Sequence, residues 1–120
     1  LEHAALVGTW ILTSAEDLID GKWVHRYGQN PKGYFSFGKD GHVSVQFMKF
    51  PREDESSPSE SYLAYFGTYT VDHAKGEITI HIEGSLHPKL VGTTQIRAYR
   101  IQNNILFIEG DSFKRTFTKA

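Results

Sequence analysis

The sequence contains no cysteine, which removes disulfides, thiolate nucleophiles and Cys-ligated zinc or iron–sulfur centres from consideration. That absence fits a reducing, cytoplasmic compartment. No apolar run approaches the roughly 18 residues of a membrane-spanning helix, and Leu1 to Ala5 do not form a basic segment followed by an apolar stretch. No membrane partner is expected. The chain opens on Leu1 rather than Met, which leaves room for an upstream piece. An excess of one charge is lacking too: 13 basic side chains face 14 acidic ones, for a formal charge of −1. That balance supplies neither a phosphate-tracking surface nor a polybasic anchor, so nucleic acid is not an expected partner.

What is present has the size of one domain, residues 1–120. Aromatic residues make up 13%, a share that favours strands. Turn signals recur at Asp20-Gly21, Gly38-Lys39-Asp40-Gly41, Lys75-Gly76, Asn103-Asn104 and Gly110-Asp111. Between them lie segments rich in Val, Ile, Thr, Tyr and Phe, the rhythm of antiparallel hairpins. The pattern predicts strands over Gly8 to Glu16, Lys22 to Tyr27, Gly33 to Phe37, His42 to Lys49, Leu63 to Val71, Glu77 to Glu83, Thr93 to Ile101, Ile105 to Glu109 and Phe113 to Thr118. A helical turn is expected only at Glu2 to Val7. The polar, acidic stretch Pro51 to Ser61 reads as a surface loop, or as a lid if it borders an opening. Gly33, Gly67 and Gly84 fall in or beside strands, where bends or bulges are expected.

Alternation carries most of the information. Ile78, Ile80 and Ile82 share one face of their strand, with Thr79, His81 and Glu83 on the other. Val43, Val45 and Phe47 alternate with Ser44, Gln46 and Met48, and Gln95, Arg97, Tyr99 and Ile101 alternate with Thr94, Ile96, Ala98 and Arg100. Strands of this kind suit a barrel with either a polar-lined interior or a polar exterior. The pattern does not decide which face points inward.

Leu6-Val7-Gly8-Thr9-Trp10 resembles the Gly-x-Trp opening of lipocalins and their calycin relatives. The resemblance implies that Trp10 closes the base of a barrel and that a basic residue of the last strand packs over its indole, a role for which Arg115 is placed. LVGTW at 6–10, GHVSVQFM at 41–48, YLAYFGTYTVD at 62–72 and HIEGSLHPKLVGTTQIR at 81–97 are similar, more specifically, to the short bacterial and fungal lipocalin-like domain family. The chain lacks the cysteine pair and the C-terminal helix of longer secreted lipocalins. It also lacks the helix pair of fatty-acid-binding proteins, since Trp10 to Asp17 runs almost directly into the Asp20-Gly21 turn. The resemblance implies an all-β fold, a closed antiparallel up-and-down barrel of about eight or nine strands, with an internal cavity for a small organic molecule. Some barrels of this type act as cofactor-free isomerases or cyclases in natural-product pathways, and a shared fold does not decide between carrier and enzyme.

His81, Glu83 and Tyr99 are the candidate acid–base residues, and Arg97, Gln95 and Gln46 the candidate polar ligand contacts. If the segments 77–83 and 93–101 pair, their polar faces can meet, with Arg97 on a carbonyl or carboxylate, His81 shuttling a proton and Glu83 setting its tautomer. The same residues suit a solvated face equally. Arg97-Ala98-Tyr99 resembles the Arg-x-Tyr arrangement that holds a carboxylate in fatty-acid-binding proteins. Tyr65, Tyr69 and Phe47 are candidate apolar walls, or simply core. Six histidines are present, but no His-x-His or Glu-x-x-His spacing occurs, so no metal or cofactor is called for. The expected partner is a small-molecule ligand or substrate, bound to a monomer or homodimer. A partner-binding scaffold using the acidic loop would instead have a filled barrel.

Overall fold

A computed structural model describes residues 5–51 and 58–120. The strands are β1 (Gly8–Ile19), β2 (Lys22–His25), β3 (Lys32–Phe37), β4 (His42–Met48), β5 (Tyr62–Asp72), β6 (Glu77–Ser85), β7 (Thr94–Gln102), β8 (Ile105–Glu109) and β9 (Phe113–Lys119). Each barrel strand pairs antiparallel with the next, and β1 also pairs with β9, which closes the sheet. β2 stands outside the cylinder. It pairs only with the second half of β1, from Glu16↔His25 to Ile19↔Lys22, so the barrel proper has eight strands with a hairpin arm. Closure removes the exposed edges that an open sheet of this size would present.

The boundaries differ from expectation in instructive ways. β1 runs on to Ile19 because β2 offers it a partner after β3 has turned away. Tyr27 is not in a strand. It is buried beyond β2, edge-on to Phe47 at 6.0 Å between ring centroids. A single helical turn, α1 (Pro58–Ser61), leads into β5 where only loop was expected, and Pro88–Leu90 form a 3-10 turn between β6 and β7. The remainder of the Pro51 to Ser61 segment, 52–57, lies outside the described residues, as do the first residues of the expected turn at Glu2 to Val7. Within that turn Leu6 is buried.

Two bulges reset which residues face inward. Between Leu12 and Ser14 the β1–β9 register slips by one, leaving Thr13 unpaired and donating its hydroxyl to the Thr116 carbonyl at 3.0 Å. Before it Trp10 and Leu12 are buried, and after it Ala15 is, so the inward parity changes from even to odd. The β5–β6 register slips beside Gly67, where Phe66 pairs with Gly84 but Gly67 with Ile82. Gly67 has no Cβ because one would strike the His81 carbonyl oxygen.

One end of the barrel is filled. Trp10, 1% exposed, donates its indole N–H to the Leu6 carbonyl at 2.8 Å. Phe35 stacks on Phe37 at 4.5 Å and meets Phe117 edge-on at 5.7 Å, and Tyr69 closes against Phe37 at 5.2 Å while donating its hydroxyl to the Gly38 carbonyl at 2.7 Å. The cation over the indole is Lys119, with Nζ 4.6 Å from the ring centroid and hydrogen-bonded to the Val7 carbonyl. Arg115 does not take that role. Register decides the matter: Lys119 is the β9 partner of Trp10, whereas Arg115 pairs with Ala15, farther along β1.

Candidate functional site

At the other end, the described residues enclose a cavity of about 380 Å³. Its apolar walls include Phe35, Phe47, Leu63, Tyr65, Ile80 and Ile108, and its polar lining is Asp17, Gln95, Arg97, Ser112 and Arg115. A volume in this range suits one small organic molecule.

Register explains how the polar groups come inside. Antiparallel partners share a face. In the β6–β7 ladder Ile80 pairs with Gln95 and Ile78 with Arg97. The buried isoleucine face of β6 therefore lies beside the polar face of β7. β7 is inverted relative to hydropathy, with Gln95, Arg97 and Tyr99 half-buried and turned inward while Ile96 is 58% exposed outside. A strand that turns an isoleucine to solvent and an arginine inward is not arranged for core stability alone.

The candidate residues separate accordingly. Phe47, Tyr65, Gln95 and Arg97 line the cavity. Tyr99 faces inward and packs against the core beside it, without lining it, and Tyr69 belongs to the filled end. His81 and Glu83 are on the outer face of β6, exposed, with His81 Nδ1 3.0 Å from the Thr94 hydroxyl. The triad of Arg97, His81 and Glu83 is therefore not formed, because the partner of His81 is Thr94 and not a residue of the inward face. Gln46 is also exposed on the outer face of β4, where it borders a shallow groove with Tyr34 and Tyr62. Substituting His81→Ala is accordingly expected to leave both melting temperature and ligand affinity unchanged within error, which a side-by-side titration and melt would check.

Arg115, Asp17 and Phe113 were not singled out as cavity residues by the sequence. Arg115 Nη1 lies 2.9 Å from Asp17 Oδ1 and donates to the Glu16 and Lys114 carbonyls at 3.0 Å each. Those two bonds use the hydrogens of Nη1, so Asp17 Oδ1 is held by charge and receives no aligned hydrogen bond. Asp17 Oδ2 is 4.0 Å from Arg26 Nε. Phe113 stands between two guanidinium groups, with Arg97 Cζ 5.1 Å and Arg115 Cζ 5.6 Å from its ring centroid. A signal for Arg115 was available: it alternates with Phe113 and Phe117, so one inward residue fixes the face.

Burial pushes the Tyr65 phenol well above its ordinary range, with Arg97 opposing the shift. The phenol is a neutral donor at physiological pH. Desolvation draws Arg97 below the usual guanidinium value, Tyr65 acts to raise it and Arg115 to lower it. It nonetheless stays charged. Among the described residues no group of three His, Asp or Glu side chains is arranged to hold a metal ion, and no helix is long and apolar enough to cross a membrane.

His87, in the loop after β6, has a structural role. Its ring Nε2 is 3.1 Å from the Tyr62 carbonyl, a geometry that requires the N–H on that nitrogen, and its backbone N–H reaches the Ser85 hydroxyl, which itself donates to the Ala64 carbonyl. These bonds tie the loop that carries Leu90, at the cavity, to the start of β5.

The family described as a lipocalin-like domain matches residues 7–117 of the chain. A crystal structure of an uncharacterized protein from Bacteroides eggerthii DSM 20697 is similar in fold, with a TM-score of 0.56 and 18% identity over 95% of this chain and 98% of that one. No curated protein matches the sequence.

Proposed function

Because the chain belongs to the lipocalin-like domain family, we propose that it binds a small, mostly apolar organic molecule with one polar end inside the barrel. The observation that carries this reading is the cavity itself: about 380 Å³ at one end of an otherwise well-packed barrel, with aromatic and aliphatic walls and a few convergent polar groups. A barrel of eight strands is wide enough to be filled by its own side chains or to hold one small ligand. Here the filled end shows that the sequence supplies large side chains where it needs closure. The inverted polarity of β7, which turns Gln95 and Arg97 toward the cavity, supports this reading. Isomerisation or cyclisation finds no support in an acid–base pair, since His81 and Glu83 face away from the cavity.

The test is fluorescence titration with N-phenyl-1-naphthylamine, a neutral apolar fluorophore. Saturable binding of one molecule per chain is expected. Leu63→Trp, which places an indole in the half-buried wall of the cavity, is expected to weaken that binding by about tenfold, each tenfold being about 1.4 kcal/mol. Circular dichroism would establish that the variant is folded. Absence of saturable binding to the unaltered protein would sink the reading.

A further inference from the structure

We infer that the occupant of the cavity carries a compact monoanion, a carboxylate or a sulfonate, on its apolar body, and that Arg97 is the group that holds it. The inference rests on the reading of the barrel as a small-molecule binder and adds the charge of the ligand and the residue that recognises it.

Charge accounting around the cavity carries the argument. Among the described residues the acidic and basic side chains that line it are Asp17, Arg97 and Arg115. Arg115 and Asp17 neutralise one another at 2.9 Å. Arg26, nearer the surface, adds a further positive charge beside Asp17. No carboxylate among the described residues lies within ion-pairing distance of Arg97. Its only hydrogen bond to a described residue goes to the carbonyl of its own neighbour, Ile96, at 3.2 Å. A guanidinium has five N–H donors, so the described residues leave most of its capacity unspent at the cavity it lines.

The same strand provides an internal comparison. Arg100, on the outer face of β7, has a carboxylate in Glu109 at 3.9 Å and a hydrogen bond to Gln102 at 3.3 Å. The exposed arginine, which water would satisfy at little cost, has protein partners. The half-buried one, which suffers desolvation, has no carboxylate among the described residues, only the Ile96 carbonyl and the face of Phe113. Leaving a desolvated charge without a counter-ion is expensive, and a ligand that brings the missing negative charge recovers that cost on binding.

Among the described residues that line the cavity, leaving aside Arg26 nearer the surface, the uncompensated charge is a single one, which fits a monoanion better than a phosphate dianion. Phe113 lies against Arg97, 5.1 Å from Cζ to the ring centroid, and a planar guanidinium fork favours bidentate contact with a carboxylate or sulfonate. Tyr65, a neutral phenol whose pKa burial raises against the opposing effect of Arg97, lines the same cavity. Beyond that head group lie Phe35, Phe47, Ile80 and Ile108, which suit an aromatic or branched apolar body.

A matched pair of probes separates this inference from the reading beneath it. The sulfonate 8-anilinonaphthalene-1-sulfonate has the ring system of N-phenyl-1-naphthylamine plus one anionic group. At low ionic strength the sulfonate is expected to bind about tenfold or more tightly than the neutral probe, a ratio in line with charge-assisted hydrogen bonds. Arg97→Met is expected to abolish that preference, bringing the ratio of the two probes' affinities to about one whatever it does to the neutral probe's own affinity. Arg97→Lys should restore part of it. A melting curve for each variant confirms folding, and the methionine variant is expected to be at least as stable as the parent because a desolvated cation is gone. Equal affinity for the two probes, or a sulfonate preference that survives Arg97→Met, overturns the inference and leaves the cavity reading intact. Failure of both probes to bind the unaltered protein overturns both.

Discussion

Replacing Trp10 by alanine is expected to cost about 3–5 kcal/mol of folding stability, a fall in melting temperature of roughly 10–20 °C for a chain of this size. The indole is 1% exposed and sits where β1 meets both β3 and β9, paired with Phe35 on one side and Lys119 on the other. Its removal leaves a cavity that the surrounding strands cannot close, because their backbones are fixed by hydrogen bonding around the barrel. It also strands the Leu6 carbonyl, which accepts the indole N–H. For a domain whose total stability is of order 6–18 kcal/mol by the usual per-residue range, that loss is a large fraction. Far-UV circular dichroism in a urea series is the suitable probe, since the substitution removes one of the two tryptophans. A loss below about 1 kcal/mol would show that the filled end does not depend on the indole. Lys119→Met provides the companion measurement. It preserves the aliphatic cover of the ring and deletes the cation–π contact and the bond to Val7, so a loss of about 0.5–2 kcal/mol is expected. Arg115→Met should leave the indole environment unaltered, because Arg115 is at the cavity and not at the floor.

How far the sequence could be read depended on whether parity survived along each strand. On β4 and β6 it did: Val43, Val45 and Phe47 are inward, as are Ile78, Ile80 and Ile82. Three isoleucines at alternate positions make the inward face of β6 unambiguous once any barrel is assumed. β7 was the hard case, because its apolar content is divided between Ile96 outside and Ile101 inside. Only the pairing of Gln95 with Ile80 settles it, a register that continues past the strand, where Ile82 exchanges backbone hydrogen bonds with Gly92 and Thr93. Once the pairing is known, Arg97 must be inward and His81 outward. The proposed triad fails for that reason, since it requires residues on opposite faces to meet. The bulge at Thr13 takes Asp17 out of the alternation that Trp10 begins. Counting by twos from Trp10 places residue 17 outside, whereas the extra residue turns it in toward Arg115. Nothing in Leu12-Thr13-Ser14 marks a bulge, so the second charged partner in the cavity was hidden until the register was known. The Lys119 contact was lost to a similar cause, a register on β9 that depends on the same slipped residue.

Gly67→Ala is expected to destabilise the protein by about 3 kcal/mol or more, at the upper end of what overpacking costs. An alanine Cβ at this position would overlap the carbonyl oxygen of His81 and lie 3.1 Å from the amide nitrogen of Glu83. Both are backbone atoms of β6. A clash with the end of a flexible side chain can be relieved by a rotamer change, but relief here requires the two strands to separate where the ladder already slips between Phe66 and Gly67. Gly92→Ala is the control. Gly92 adopts φ +81°, but an added Cβ there meets nothing within 4 Å, so its cost is the backbone preference alone, about 1–2 kcal/mol. The difference between the two variants in urea denaturation isolates the steric part. Gly67 also bears on function, because Tyr65 on β5 and Ile80 on β6 belong to the cavity wall. Any Gly67→Ala protein that folds should therefore have displaced these two residues relative to each other, and its affinity for N-phenyl-1-naphthylamine should fall along with its stability. If Gly67→Ala matches Gly92→Ala in both stability and probe binding, the close approach of β5 to β6 is not what shapes the cavity.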